Sequence, residues 1–229
     1  MLPIAVGTCE ICGEGMATLA RPDEIQTCDV CREARPQFEK ACAHGSYDGE
    51  LRDLIHLLKY EQVTPAATVL GGILAQAIAK LGILPAVLVI PVPLHSSKRR
   101  QRRFNQAELI ARAALQRTTM PGAELATNLL VRQRATVSQI GLTRPQRAEN
   151  IRGAFRVEHP EKIAGRSILL VDDVLTTGTT ASECARVLRK AGAGKVWVAT
   201  VARTLKHSGK KTASSGLGDP DFDIVARAS

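Results

Sequence analysis

Two adjacent acids followed by a run of hydroxyls carry the clearest chemistry in this chain. Asp172 and Asp173 come after the apolar stretch 167–171, and Thr176, Thr177, Gly178, Thr179 and Thr180 follow, ahead of an amphipathic segment. A hydroxyl-rich loop running into a helix N-terminus offers backbone N–H groups, threonine hydroxyls and the positive end of the helix dipole, all suited to a phosphate. Gly178 lets the backbone approach that phosphate closely. Two carboxylates would repel it, so they are expected to accept from the vicinal hydroxyls of a sugar. The pattern therefore predicts a sugar-phosphate ligand. An ordinary strand-turn-helix junction needs only one capping Asp or Thr and leaves the other residues unexplained. The lysine-bearing G-x-x-x-x-G-K-[ST] loop of nucleotide hydrolases does not occur.

A second constellation is made of sulfur. Cys9 and Cys12, then Cys28 and Cys31, form two C-x2-C pairs separated by 15 residues. This is the spacing of a four-thiolate structural zinc site. No thioredoxin-like strand-helix context surrounds either pair, which argues against a redox motif, and paired disulfides are rare in cytosolic chains. Residues 1–40 are too few and too polar to build their own core, so the metal is expected to supply their folding energy. Cys42 has no paired partner and reads as a small buried thiol, and Cys184 falls on the apolar stripe of the helix after the threonine loop.

The third feature is charge. Lys98, Arg99, Arg100, Arg102 and Arg103 place five cations in six positions, and residues 98–156 hold 13 Lys/Arg against three acids, a net of +10. The whole chain carries +9, so its basic character is local. Three uses compete: stabilising a departing pyrophosphate, tracking a nucleic-acid backbone, or simply keeping a loop solvated. Phe104 is the one aromatic within the run, which gives little support to base stacking.

These groups need a scaffold, and the pattern supplies one. Helical periodicity marks residues 51–58 and 69–81, a continuous apolar strand covers 86–90, and Asn105 can cap a helix through Leu109, Ile110 and Ala113. Further strands are expected at 168–171 and 196–201. Alternation of this kind implies a mostly parallel sheet covered on both faces, an α/β fold, with ligands at the carboxyl ends of the strands. Thr143 and Gln146 have capping-box spacing, with Pro145 early in the helix they start; Arg144, Arg147 and Arg152 project from this short segment.

Composition fits a cytoplasmic protein with an aliphatic core: 45% apolar residues and only seven aromatics among 229. The first residues lack the basic and apolar stretches of a signal peptide, and no run is long enough to insert in a membrane. Residues 206–229 are Lys/Ser/Gly-rich at first and read as a partly disordered tail.

Taken in order, the two C-x2-C pairs, Leu58-Lys59-Tyr60, the stretch 91–95, the basic run ending in Phe104-Asn105-Gln106, the segment 139–155 and the acid-threonine loop resemble the ComF family. That family, which includes the competence protein ComF and the GntX type, joins a four-cysteine zinc motif to a type I phosphoribosyltransferase domain. The resemblance implies a zinc-binding module at 1–40, a phosphoribosyltransferase-like α/β domain at 41–205 and a tail at 206–229. It implies that phosphoribosyl pyrophosphate (PRPP) binds with magnesium, Asp172 and Asp173 holding the ribose hydroxyls in the catalytic centre and residues 176–180 the 5-phosphate. Lys59, Arg100 and Arg102 become candidates for the pyrophosphate. It also links the chain to DNA uptake, either as a transferase releasing pyrophosphate or as a PRPP-sensing or single-stranded-DNA-handling factor, with the zinc module docking a partner in the uptake machinery. One departure stands out: where the family carries Arg-Gly before Phe104, this chain has Arg102-Arg103.

Overall fold

A computed structural model describes residues 7–16, 25–82, 86–118, 120–137 and 141–205; the expected tail lies outside them. In chain order the elements are β1 (Gly7–Thr8), β2 (Gly15–Met16), α1 (Asp29–Glu33), β3 (Lys40–Ser46), α2 (Gly49–Lys59), α3 (Ala66–Ala79), β4 (Leu88–Pro91), α4 (Ser96–Arg102), α5 (Gln106–Leu115), β5 (Glu124–Leu125), β6 (Leu130–Arg132), α6 (Arg144–Ile151), β7 (Phe155–Val157), β8 (Ile168–Leu175), α7 (Thr179–Lys190) and β9 (Val196–Arg203). Strands β3, β9, β8, β4 and β5, in that order, form one parallel sheet. Parallel strands need crossovers, and helices α2, α3, α5 and α7 supply them on the two faces.

The sheet centre reads as near-continuous aliphatics because both its faces are covered. Ile168, Leu170, Val196 and Val198 join one buried cluster with Leu188 and Cys184 of α7. Leu169, Val171, Ala199 and Val201 join the other, with Ile55 and Leu58 of α2, Leu70 and Leu74 of α3 and Ile110 of α5. Helices α3 and α5 approach closely at Gly71, where an added Cβ would lie 2.4 Å from the Ala113 methyl. No other side chain fits at that crossing.

Strand β3 and the end of β8 depart from the sequence reading in ways that matter for the site. Strand β3, Lys-Ala-Cys-Ala-His-Gly-Ser, has none of the β-branched residues that mark a strand, and its pairing with β9 is what makes it extended. Strand β8 continues past Val171 through Asp172, Asp173, Val174 and Leu175, where a loop was expected, because β9 runs alongside it as far as Arg203. The acids therefore sit inside a strand rather than beyond its end.

The cysteine segment shares the domain core instead of standing apart. Cys9, Ile11 and Cys31 belong to the same buried cluster as Leu175, Ala181 and Cys184. The Ala41 amide donates to the Ile11 carbonyl at 2.6 Å. At the end of β9 the buried Arg203 guanidinium donates to the Cys12 carbonyl and pairs with the Glu14 carboxylate. No helix among the described residues is long and apolar enough to cross a membrane.

Candidate functional site

Successive side chains of a strand point to opposite faces, so the adjacency of Asp172 and Asp173 separates them. Asp173 is 4% exposed and meets Lys59, the last residue of α2, with Nζ 3.0 Å from Oδ2. Burial works against the Lys59 ammonium, but the Asp173 carboxylate, with help from Asp172, outweighs it and holds the lysine above its ordinary pKa. Asp172 lies on the side of Cys184 and Arg132. Burial, then the charge of Asp173, pushes its carboxyl up to about 7, against the opposing pull of Lys59 and Arg132. Its Oδ1 accepts from the Asp173 amide at 2.9 Å. Lys59 thus pairs directly with Asp173, while Arg132 acts on Asp172 through its charge alone.

Beyond them the chain turns through Gly178, whose φ of 74° is a left-handed conformation that glycine adopts without strain. Helix α7 starts there with no side-chain cap, so its first N–H groups face the loop without an internal acceptor. The Thr177 and Thr179 hydroxyls lie 2.7 Å apart, while Thr176 and Thr180 line the cleft. Phe38 packs beneath Gly178, and the Gln37 amide donates to the Ser182 hydroxyl at 3.1 Å, so the segment after the cysteines braces this loop.

The cleft in front of the acids holds about 350 Å³. Asp172, Asp173, Thr176 and Thr180 form one wall, the turn Val92–His95 and α4 a second, and Arg132, Thr136 and Arg147 the third. Lys98 and Arg102, four apart on α4 and hence on one helix face, both line it. Arg100 does not: it is exposed, two positions from Arg102 and so on the opposite side of the helix. Of the three candidates for the pyrophosphate, Lys59 and Arg102 therefore line the cleft and Arg100 stands outside it. Arg102 sits over the Tyr60 ring at 5.3 Å. His95 caps α4, its Nδ1 2.8 Å from the Ser97 hydroxyl. Arg103 has φ of 67°, so an arginine occupies a backbone conformation that favours glycine. A larger hollow of about 530 Å³ runs along the β5 edge between Leu88, Glu124 and Lys162, and none of the expected site residues lines it.

Sequence reasoning missed Arg132 and Tyr47, which line the cleft, and Arg203 beside the cysteines, and treated Arg147 as one of three projecting arginines. Nothing in the local sequence marks Arg132, because its neighbour Phe155 comes from the paired strand β7. The capping box on α6, by contrast, is formed as expected, with Thr143 and Gln146 bonding each other's backbone.

The four cysteines Cys9, Cys12, Cys28 and Cys31 bring their sulfurs within 4.8 Å of one another, Cys12 and Cys28 at 3.6 Å. Four thiolates at about 2.3 Å from a tetrahedral zinc would stand roughly 3.8 Å apart, so the donor set fits. Burial, with the neighbouring thiols adding to it, pushes Cys12 up to about 11 and Cys31 well above its usual value. A central cation reverses that preference. Cys42 lies apart, its thiol donating to the Ala77 carbonyl at 3.1 Å.

A family model and curated relatives match most of this chain. The family model "Phosphoribosyl transferase domain" matches residues 66–217, about two thirds of the chain. The DNA utilization protein YhgH of Escherichia coli strain K12 is 30% identical over 220 residues, covering 89% of this chain and 95% of that protein. Competence protein F of Haemophilus influenzae is 29% identical over 202 residues, covering 85% and 84%. Among solved structures, the glutamine phosphoribosylpyrophosphate amidotransferase of B. subtilis aligns at 25% identity and a TM-score of 0.37 over 59% of this chain, which spans only 26% of that protein. With a parallel sheet, an acid-threonine loop at its carboxyl edge and clustered N-terminal cysteines already in place, these matches decide the family: this chain is a member of the phosphoribosyl transferase domain family, of the ComF type.

Proposed function

We propose that the cleft binds PRPP with magnesium and transfers its phosphoribosyl group to an acceptor, releasing pyrophosphate. The observation that carries this reading is that Asp172 and Asp173, at the carboxyl-terminal part of β8, both line the cleft directly before a glycine turn and an uncapped helix N-terminus. The α7 N-terminus and the Thr176 and Thr180 hydroxyls receive the 5-phosphate. Asp172 and Asp173 accept from the ribose hydroxyls, which requires the Lys59 ammonium to share or release Asp173. Positive charge grows on the sugar as pyrophosphate departs, and the two carboxylates stabilise it. Lys98 and Arg102, on the facing wall, draw the leaving group away. Magnesium, held by substrate phosphates and water together with a carboxylate, would neutralise part of the pyrophosphate charge.

The cysteine module at 1–40, carrying zinc, is proposed as a brace for the domain at 41–205. Relatives named for DNA utilization and competence support a role in handling incoming DNA, in the cytoplasm where thiols stay reduced. A second reading keeps the ligand and drops the turnover. Arg99, Arg100 and Arg103 are exposed outside the cleft, a placement that suits single-stranded DNA better than pyrophosphate.

Calorimetry with PRPP and magnesium tests the proposal. Binding is expected, and the double variant Asp172→Asn, Asp173→Asn should abolish it; a wild-type chain that ignores PRPP would sink the reading. Pyrophosphate release over a panel of acceptors then separates transfer from sensing.

A further inference from the structure

We propose that the segment 37–39 positions the 5-phosphate loop, and that metal loading of the four cysteines sets the phosphate affinity of that loop through it. The inference rests on the preceding reading of the Gly178 turn and the α7 N-terminus as the 5-phosphate site.

The underside of the loop is built from the cysteine side of the molecule. A Cβ on Gly178 would stand 3.9 Å from the Phe38 ring, and Phe38 is 3% exposed. Its buried cluster takes in Cys9, Ile11 and Cys31 from the knuckle and Leu175, Ala181 and Cys184 from around the turn. One contiguous apolar cluster therefore joins two of the thiols to the residues on either side of Gly178.

Hydrogen bonds repeat the connection. The Ser182 amide donates to the Gly178 carbonyl at 2.8 Å, closing the first turn of α7, while the Ser182 hydroxyl accepts from the Gln37 amide at 3.1 Å. Glu39 meets Arg189 at 3.3 Å near the other end of α7, and its amide donates to the Val196 carbonyl at 2.8 Å. Phe38 is thus held between two clasps on the same helix. On the metal side, Cys31 of α1 lies six residues before Gln37, and Arg144 of α6 donates to the Val30 carbonyl of α1 at 3.3 Å.

The knuckle places three fully buried apolar side chains, Cys9, Ile11 and Cys31, in that cluster. Three are too few to offset the conformational entropy of ordering the stretches 7–16 and 25–33, so the metal keeps the knuckle docked. With the knuckle docked, Phe38 is pressed beneath the turn and the amides of Thr179, Thr180 and Ala181 keep one direction. A helix start binds phosphate through N–H groups already aimed at it, and affinity falls when they must be ordered on binding. The coupling is reciprocal: whatever factor the metal adds to phosphate affinity, phosphate adds to metal affinity. None of these contacts involves Lys98 or Arg102 on α4, so the wall proposed for pyrophosphate stays outside the coupling.

Ribose 5-phosphate carries the group in question without the leaving group, and calorimetry on the full chain reads it. The zinc-loaded chain should bind it roughly tenfold tighter than chain stripped by a chelator under reducing conditions. Pyrophosphate with magnesium, titrated with ribose 5-phosphate at saturation, should bind both forms within about twofold. In return, ribose 5-phosphate should raise zinc affinity in chelator competition by the same roughly tenfold factor. Phe38→Ala should keep its zinc and lose most of that factor, and stripping this variant should then change ribose 5-phosphate affinity by no more than about twofold. Ser182→Ala should weaken ribose 5-phosphate by about two- to threefold, and Ser182→Thr, which keeps the hydroxyl, should restore it. Equal ribose 5-phosphate affinity with and without zinc overturns the proposal, as does a stripped chain that loses both ligands equally. Should stripping unfold the chain, zinc-loaded Phe38→Ala decides: wild-type affinity for ribose 5-phosphate overturns the proposal, and a several-fold loss with pyrophosphate intact supports it. A zinc-loaded wild type that binds neither ribose 5-phosphate nor PRPP removes the earlier reading together with this one. PRPP binding that is indifferent to zinc and to Phe38 removes this one alone.

Discussion

The cations that crowd the sequence and the cations that the fold uses are mostly different residues. Lys98 to Arg103 forms the densest positive run, yet Arg99, Arg100 and Arg103 are exposed and only Lys98 and Arg102 reach the cleft. Lys59, Arg132 and Arg203 are scattered singly, and each is drawn inward to a defined contact: Asp173, the Phe155 ring, and Glu14 with the Cys12 carbonyl. The difference is dielectric. An exposed charge is screened by water and gains little from any one neighbour, whereas a buried one must be answered by a specific group.

The largest test of that contrast is Arg203. Arg203→Ala leaves the Glu14 carboxylate buried and the knuckle unfastened, and should cost about 3–5 kcal/mol in thermal or denaturant unfolding. Stripping metal from the wild type with a chelator should give a comparable loss, since it releases the same knuckle; unchanged unfolding would show that the cysteines hold no structural metal. Lys59→Met comes next, at about 3 kcal/mol, because it leaves Asp173 without its ion pair. If Arg100→Ala costs as much as either, the contrast between buried and exposed cations fails.

Asp172 sharpens the comparison through pH. Its folded carboxyl sits near 7, above its ordinary value of 3.8, so the native state favours the protonated form. The stability this contributes is full below the unfolded value, declines as pH rises towards 7 and is flat above. Asp172→Asn removes that slope, and its melting advantage over wild type should grow from pH 5 to pH 8 by an amount on the order of 2 kcal/mol. A difference independent of pH would mean that the carboxyl is already ionised at pH 5.

The smallest effects belong to the exposed run. Arg103→Gly relieves a left-handed residue and should stabilise by up to about 1 kcal/mol in equilibrium unfolding, the gain being reduced by the freedom glycine adds to the unfolded chain. Arg99→Ala and Arg100→Ala should stay within about 0.5 kcal/mol of wild type.

Legibility followed the range of the interaction. Gly178 could be read as a turn glycine, Thr143 with Gln146 as a capping box, and the four cysteines as one cluster, because each depends on backbone geometry over a few residues or on a ligand set with fixed spacing. Strand β3 could not be read, since its small residues are extended only by pairing with β9. The opposite orientation of Asp172 and Asp173 was hidden by taking them as loop residues; once β9 holds them in a strand, alternation follows.

By itself the sequence determined which groups are available: two acids, a phosphate-ready helix start, four thiols at metal spacing and an alternating α/β scaffold. The tertiary structure alone decided which cation meets which acid, that the knuckle is fastened to the sheet through Arg203, and that Arg132 and Arg147 close the third wall of the cleft. The physical reason is that buried charges choose partners by position in space, and Lys59 finds Asp173 across more than a hundred residues of chain only after α2 has packed against the sheet.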